Sequence, residues 1–465
     1  MRSILILVIS VGILCLGPQP SFSFSISESL ALALEKNPRA RIAYSQIIKS
    51  QADLREKKSD YYPDVDLTLG RGWNQVETQD FINQGIGPQS RSDRYEQRLK
   101  INVPIFDATL PAAVRRERYQ LSGRISKSRA ALNSLAIDAG LSHLEVVRIS
   151  EIGKLIDEQT SLLLEFIEVV KDKERSGVAT SLDVGLAENA LNALEAQKQV
   201  NTVELLLSAA QYEVLVGQNP PNLEEPELPI SYLPASVEDA RTLAGKINEE
   251  ISSTKNDFLA ARADVDFNRG KYLPNLSMEL EASKTGNADG TAGVTTDYRA
   301  MLFLRWKLFD GFKTGAQVIA ARSEVIEQAA RYDLEKLEVN DRVRTNFLLI
   351  KQQKVSLDGA EKSANQAEEN FFRYLDEYEL GEREIQDLID SARTTFSSKV
   401  AVIDNRIRMK KSAFRLLGEI GILIPSTDNS ILMIDGEDAL QSFDLLTGSR
   451  LFNSDKITKE KSIVE

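Results

Sequence analysis

Cysteine and histidine are all but missing, with one residue of each in 465. Cys15 lies in the apolar N-terminal stretch, so the rest of the chain offers neither a disulfide framework nor a Cys/His zinc spacing. His143, beside Leu141, Leu144 and Val147, reads as a packed or surface helical residue and not as a ligand. No Gly-rich phosphate loop and no nucleophile–base pairing occurs, so neither an enzyme, a metal nor a cofactor is expected. Beyond the N-terminal stretch there is no run of 18 apolar residues, which excludes a transmembrane helix and leaves strands as the one possible membrane element. Positive charge is in deficit, the formal net charge being -12, which argues against nucleic acid as a partner. Proline is absent between Pro111 and Pro220 and again between Pro274 and Pro425. Those gaps are filled with Ala, Leu, Glu, Lys, Arg and Gln, which favour long uninterrupted helices. A helix of such length reaches roughly 100 Å and needs neighbours to cover its apolar stripe.

Met1-Arg2, the apolar run Ile4 to Leu16, the Pro18/Pro20 break and Ser21-Phe22-Ser23 have the layout of a secretory signal over residues 1–23, with cleavage after Ser23 or Ser25. Leu14 precedes Cys15 where a lipoprotein cysteine would follow a small residue. Export of a chain without disulfides suits a periplasmic or outer-membrane protein.

What the chain does contain, it contains twice. Tyr62-Pro63-Asp64 returns as Leu273-Pro274-Asn275, and Phe106-Asp107 as Phe309-Asp310-Gly311. The interval from Pro63 to Pro274 equals that from Ser25 to Ser236. Between Asp107 and Asp310, or Gly177 and Gly381, it is about eight residues shorter, as a loop of variable length between the proline and the Phe-Asp pair would cause. The period is too long for a solenoid, so two copies of one supersecondary unit are expected, at 25–219 and 235–424.

Each copy opens with a helix, about residues 25–60 in the first. After Pro63 the period switches to two: Val65, Leu67 and Leu69 alternate with Asp64, Asp66 and Thr68. Beyond a polar loop, Leu99, Ile101 and Val103 alternate with Arg98, Lys100 and Asn102. Strands are predicted at 64–73 and 94–105, and in the second copy at 275–283 and 298–309. Long helices follow at 111–176 and 313–380, turned back at Gly177 and Gly381 into helices at 181–216 and 382–418. A Pro/Glu-rich connector, 220–234, joins the copies, with Glu224-Glu225 read as solvated. A polar tail, 425–465, has no assigned role.

The four strands could cover a soluble core. Against that, their polar faces are charged, as a water-filled lumen requires, and Tyr61, Tyr62, Trp73, Tyr272, Trp306 and Phe309 cluster near their ends, as an interfacial girdle requires. Four strands cannot close a barrel, so membrane strands demand oligomerisation, and three protomers would supply twelve.

In their duplicated order, Tyr62-Pro63, Leu273-Pro274, Phe106-Asp107, Leu308-Phe309-Asp310-Gly311 and the turns Gly177–Val184 and Gly381–Leu388 resemble the TolC-type outer-membrane efflux and secretion channels, over about Ser25 to Ile424. The resemblance implies a mainly α protein with a transmembrane β part: a homotrimer whose twelve-stranded outer-membrane barrel continues into an α-helical periplasmic barrel. It implies a passive exit duct of a tripartite efflux pump or type I secretion system. The implied partners are outer-membrane lipid, a periplasmic adaptor and an inner-membrane transporter of RND, ABC or MFS type. A soluble periplasmic coiled-coil scaffold or adaptor protein is the rival reading. Asp387 and Asp390, at i and i+3, share one helix face; the resemblance places them as acidic rings at the periplasmic aperture. It also makes Tyr378, Arg383 and Asp183 the aperture latch, with an Arg383–Asp183 bond. The match departs at Leu182, where a hydroxyl residue would complete the link.

Overall fold

Ser25 and Ser236 start the two copies alike. Ser25 Oγ accepts the Glu28 amide while the Glu28 carboxylate takes the Ser25 N–H at 2.7 Å, a capping box. Ser236 Oγ accepts the Asp239 amide at 3.1 Å. The computed structural model describes residues 24–74, 92–227, 233–287 and 293–423. The segment expected to be a secretory signal (1–23), the C-terminal tail, residues 228–232 of the connector and most of the two polar loops lie outside the described residues.

The first copy comprises α1 (Ile26–Lys36), α2 (Pro38–Ser59), β1 (Asp64–Asn74), β2 (Ser92–Phe106), α3 (Leu110–Arg175) and α4 (Ser181–Val216). The second comprises α5 (Val237–Ile247), α6 (Glu249–Gly270), β3 (Asn275–Gly286), β4 (Val294–Arg305), α7 (Lys313–Glu379) and α8 (Ile385–Ile420).

Several boundaries differ from the sequence reading, among them the end of β3, which runs to Gly286 and not to 283. The single helix over 25–60 is two, because Pro38 forces Asn37 into extended backbone (φ -71, ψ 133). The break does capping work: Asn37 Nδ2 donates to Leu215 O at 2.8 Å, at the end of α4. Its counterpart Asn248 (φ -66, ψ 127) separates α5 from α6 and donates to Glu419 O at 2.7 Å, at the end of α8. Strand β4 runs Val294–Arg305 and not 298–309, since Asn275, the first residue of β3, pairs with Arg305 and leaves nothing for a longer β4 to bond. Trp306 instead donates its indole N–H to Tyr272 O at 3.0 Å. Helix α8 begins at Ile385 and not at 382, after the turn at Gly381.

The chain divides into two compact units. One holds α2, α5, α6, the sheet and the adjoining parts of α3, α7 and α8. Its four antiparallel strands lie in the order β1-β2-β3-β4. Registers such as Leu67↔Leu99 and Leu280↔Ala300 put like residues on one face. That face is uncovered: Leu67 is 66% exposed, Leu302 61% and Leu304 65%. A sheet roofing a soluble core would bury them. On the other face Glu281 pairs with Arg98 and Arg299, and Glu279 with Lys100 and Arg305.

Both strand–helix junctions use an aspartate. Asp107 accepts the Thr109 amide at 2.8 Å ahead of α3, and Asp310 accepts the Thr314 amide at 2.9 Å at the start of α7. The Thr314 hydroxyl and amide hold the Asp310 carboxyl below its usual range. Pro63 and Pro274 immediately precede β1 and β3, Phe106 ends β2, and Gly311 takes φ +68 next to Phe312 (φ +66), whose ring meets that of Phe309 edge-on at 5.5 Å.

The other unit holds α1, α4, the remainder of α3, α7 and α8, and the described start of the connector. Leu144 and Val147 of α3 pack on Ile407 of α8, with Ile26 and Leu223 against them. His143 is wholly buried. Its Nε2 faces Glu224 O at 2.8 Å, so the proton sits there; Nδ1 accepts from Ser29 Oγ at 2.8 Å, and Ser29 takes the Tyr212 hydroxyl at 2.8 Å. The described start of the connector therefore is not a solvated linker. Leu223 bridges to Phe24, the Glu224 amide donates to Phe24 O at 3.1 Å, and Glu225 forms ion pairs with Lys410 and Arg406 of α8.

Candidate aperture at the helix reversals

Glycine is required at both reversals. Gly177 has φ +80 and Gly381 φ +79, the left-handed conformation. Around Gly177, Val178 N–H donates to Lys173 O and Gly177 N–H to Glu174 O; around Gly381, Glu382 donates to Glu377 O and Gly381 to Tyr378 O. Both are Schellman closures, which satisfy the last carbonyls of α3 and α7 before the chain turns.

Beneath the turns lies an apolar cluster of Ile167 and Val170 from α3, Ala187 and Ala190 from α4, Tyr378 from α7, and Ile385, Leu388 and Ile389 from α8. Tyr378 meets the Phe166 ring edge-on at 5.4 Å. Burial raises the Tyr378 phenol pKa, and the nearby negative charge of Asp183 adds to the effect.

Asp387 and Asp390 flank buried Leu388 and Ile389, and both are exposed on the opposite side of α8. They share a face, each beside an arginine: Arg383 Nη1, in the turn before α8, is 3.4 Å from Asp387, and Arg393 Nη1, within α8, is 3.6 Å from Asp390. Gln386 also donates to Asp390 at 3.2 Å.

Within the chain, Arg383 and Asp183 do not meet. Arg383 binds Glu377 at 2.7 Å and lies 4.0 Å from the centre of the Tyr374 ring. Asp183 is committed elsewhere: its carboxylate accepts the Thr180 amide at 2.7 Å and the Thr180 hydroxyl at 2.8 Å, a capping box at the start of α4. In the second copy Glu384 stands where Thr180 stands in the first, so Asp387 has no such box and is free to face Arg383. Leu182 is 70% exposed and takes no part.

Sequence reasoning missed Lys173. Its ammonium donates to Tyr378 O at 2.9 Å and Glu379 O at 3.3 Å, and sits 4.4 Å from the centre of the Tyr378 ring. The contact ties the end of α3 to the end of α7 and places a cation at the negative end of a helix dipole. A lysine in a last helical turn was the available signal.

Residues 244–421 match the family model for outer membrane efflux protein. Protein CyaE of Bordetella pertussis is 23% identical over 415 residues, covering 86% of this chain and 83% of its own length. Among solved structures, CusC has the same fold with a TM-score of 0.75 at 14% identity, covering 85% of this chain and 92% of that one. The outer membrane channel CmeC of Campylobacter jejuni gives 0.74 at 14% identity over 90% and 88%. Together these bear out the resemblance drawn from the duplicated motifs, and the mainly helical fold with its small antiparallel sheet.

Proposed function

We propose that this chain, a TolC-type outer-membrane channel protein, is the passive exit duct of a tripartite efflux pump or type I secretion system. One observation carries the reading: a four-stranded sheet with an uncovered apolar face, an ion-paired polar face and two strands, β1 and β4, at its edges. In lipid such edges must be paired. Closure of β1 of one protomer on β4 of the next, three times over, makes a twelve-stranded barrel with the charged face inward. The copies 25–219 and 235–424 each give it two strands.

Two features support partners beyond the barrel. Val200, Val203, Leu207 and Val214 form an exposed stripe on α4, the kind of surface a neighbouring helix covers. Val178, Leu182 and Leu380 are more than two-thirds exposed at the reversals, where an adaptor and through it an inner-membrane transporter would dock. Asp387 and Asp390 would line the aperture in rings, with Tyr378, Arg383 and Asp183 linking protomers around it.

The test is reconstitution of purified protein into a planar bilayer. Cation-selective steps blocked from one side by a trivalent cation support the duct. Folded protein that never inserts favours the soluble scaffold.

A further inference from the structure

The uncovered face of the sheet changes character along its length. Going away from the helices, its last apolar rung is Leu67, Leu99, Ala282 and Tyr298. The next rung carries Lys284 on β3, level with Gln97, and the one after carries Arg71 on β1, level with Tyr95. Both cations are exposed. At the helical end of the same face the described strands carry no lysine or arginine.

Pairing separates these two from the other strand cations. Arg98, Lys100, Arg299 and Arg305, on the opposite face, are each bound to Glu279 or Glu281. Arg71 and Lys284 form no ion pair with any described residue. Asp93, opposite Trp73, is the carboxylate on their face at that end, and it pairs with neither. Unpaired cations on a lipid-facing wall are costly at the bilayer midplane and tolerated at its interface. The surrounding residues place these at the interface: Trp73 and Tyr298 are exposed, and the Tyr95 ring lies across Gly286, where a Cβ would come within 2.0 Å of it.

Arg71 and Lys284 stand two strands and one rung apart, so their Cα atoms are separated by roughly 12 Å from strand spacing and rise. Two long side chains can converge from that distance on one headgroup. Arginine offers a fork of donors to phosphate and lysine a point charge, so the pair suits a phosphate-bearing headgroup.

We propose that Arg71 and Lys284 clamp a lipid of the outer leaflet whose headgroup carries uncompensated, net-negative phosphate, as lipid A does and zwitterionic phosphatidylcholine does not, against the barrel wall. The proposal rests on the reading of the sheet as membrane-spanning. The full-length protein would be reconstituted in nanodiscs of phosphatidylcholine doped with diphosphoryl lipid A, extracted in mild detergent, and its retained lipid counted by native mass spectrometry. Wild type should retain lipid A over phosphatidylcholine, by roughly fivefold per cation. Arg71→Gln with Lys284→Gln should lose that preference, Arg71→Lys with Lys284→Arg should keep it, and Arg299→Gln, on the paired face, should leave it unchanged. Equal retention by the Gln double variant overturns the clamp, as does equal loss in Arg299→Gln. Should the double variant misfold, wild type decides: retention insensitive to high salt overturns the proposal. Competition by inorganic phosphate alone would overturn the assignment to lipid. Insertion without lipid preference defeats the clamp and leaves the duct standing, whereas failure to insert defeats both.

Discussion

Lys173 and Tyr378, from the two long helices, meet through a 2.9 Å hydrogen bond to the tyrosine carbonyl, with the ammonium also over the ring. Two helix ends that each close on a glycine are thereby fastened to one another by a single side chain. Charge-assisted hydrogen bonds of this kind contribute about 1.5–3 kcal/mol when shielded, and less with partial exposure. Lys173→Met keeps the aliphatic stem and removes the ammonium. Amide hydrogen exchange over 176–180 and 380–384 should then quicken roughly tenfold, with Lys173→Arg restoring most of the protection. Unchanged exchange in Lys173→Met would show that the turns hold themselves.

Asp387 and Asp390 each lie beside an arginine, but at 3.4 and 3.6 Å and with half-exposed carboxylates these pairs are weak and screened. The segment also carries Glu377, Glu379, Glu382 and Glu384 against Arg383 and Arg393, so an acidic excess survives pairing. Asp387→Ala with Asp390→Ala should lower cation preference several-fold and relieve block by a trivalent cation, without altering assembly. Reversal potentials in a salt gradient report this; unchanged selectivity would remove these residues from the aperture.

His143 makes stability depend on pH. Burial lowers its pKa from the ordinary 6.5, against a smaller opposing effect of its bond to Glu224 O. Ionisable residues near it include Glu224, which meets the ring through its carbonyl, Tyr212, whose hydroxyl reaches it through Ser29, and Glu28, whose charge is felt at Tyr212. The unfolded chain takes up the proton as pH falls through about 6.5, while the folded chain resists it. The stabilisation is complete above that value and declines toward the lower folded-state pKa. Thermal denaturation from pH 7.5 to about 5.5 should lower the wild-type midpoint more than that of His143→Gln. Parallel shifts in the two proteins would exclude the histidine as the cause.

What was legible in the sequence was local. Pro63 and Pro274 mark the switch from helical period to alternation because proline ends one element and the next must begin beyond it, and Gly177 and Gly381 mark turns that few other residues can make. What was not legible depended on partners distant in sequence. Glu225 reads as solvated until Lys410 and Arg406, far along the chain, are brought against it. Nor does any motif signal that within one chain Arg383 binds Glu377 while Asp183 takes the Thr180 amide. The break at Asn37 was signalled by Pro38, which belongs at the start of a helix and not within one, but the apolar spacing runs on across it and hides the boundary. Trp306 and Leu308 continue the alternation of β4, yet the end of β3 decides where pairing stops.

Gly140 and Phe414 give the sharpest packing test. A Cβ on Gly140, inside α3, would lie 2.2 Å from Phe414 Cε1 and 2.4 Å from its Cζ, and Phe414 is 6% exposed, so the ring has little room to withdraw. Two effects oppose each other in Gly140→Ala. Helix propensity favours alanine by about 1 kcal/mol, and overpacking a filled site costs about 1–3 kcal/mol. The clash should win, destabilising the protein by up to about 2 kcal/mol. Phe414→Leu alone opens a cavity, but combined with Gly140→Ala it should cost less than the two single changes together, because each supplies the space or the bulk the other lacks. A double-mutant cycle by thermal or chemical denaturation measures the coupling. Stabilisation by Gly140→Ala, or strict additivity of the pair, would mean that the ring moves aside without cost and that the α3–α8 contact is looser than its geometry requires.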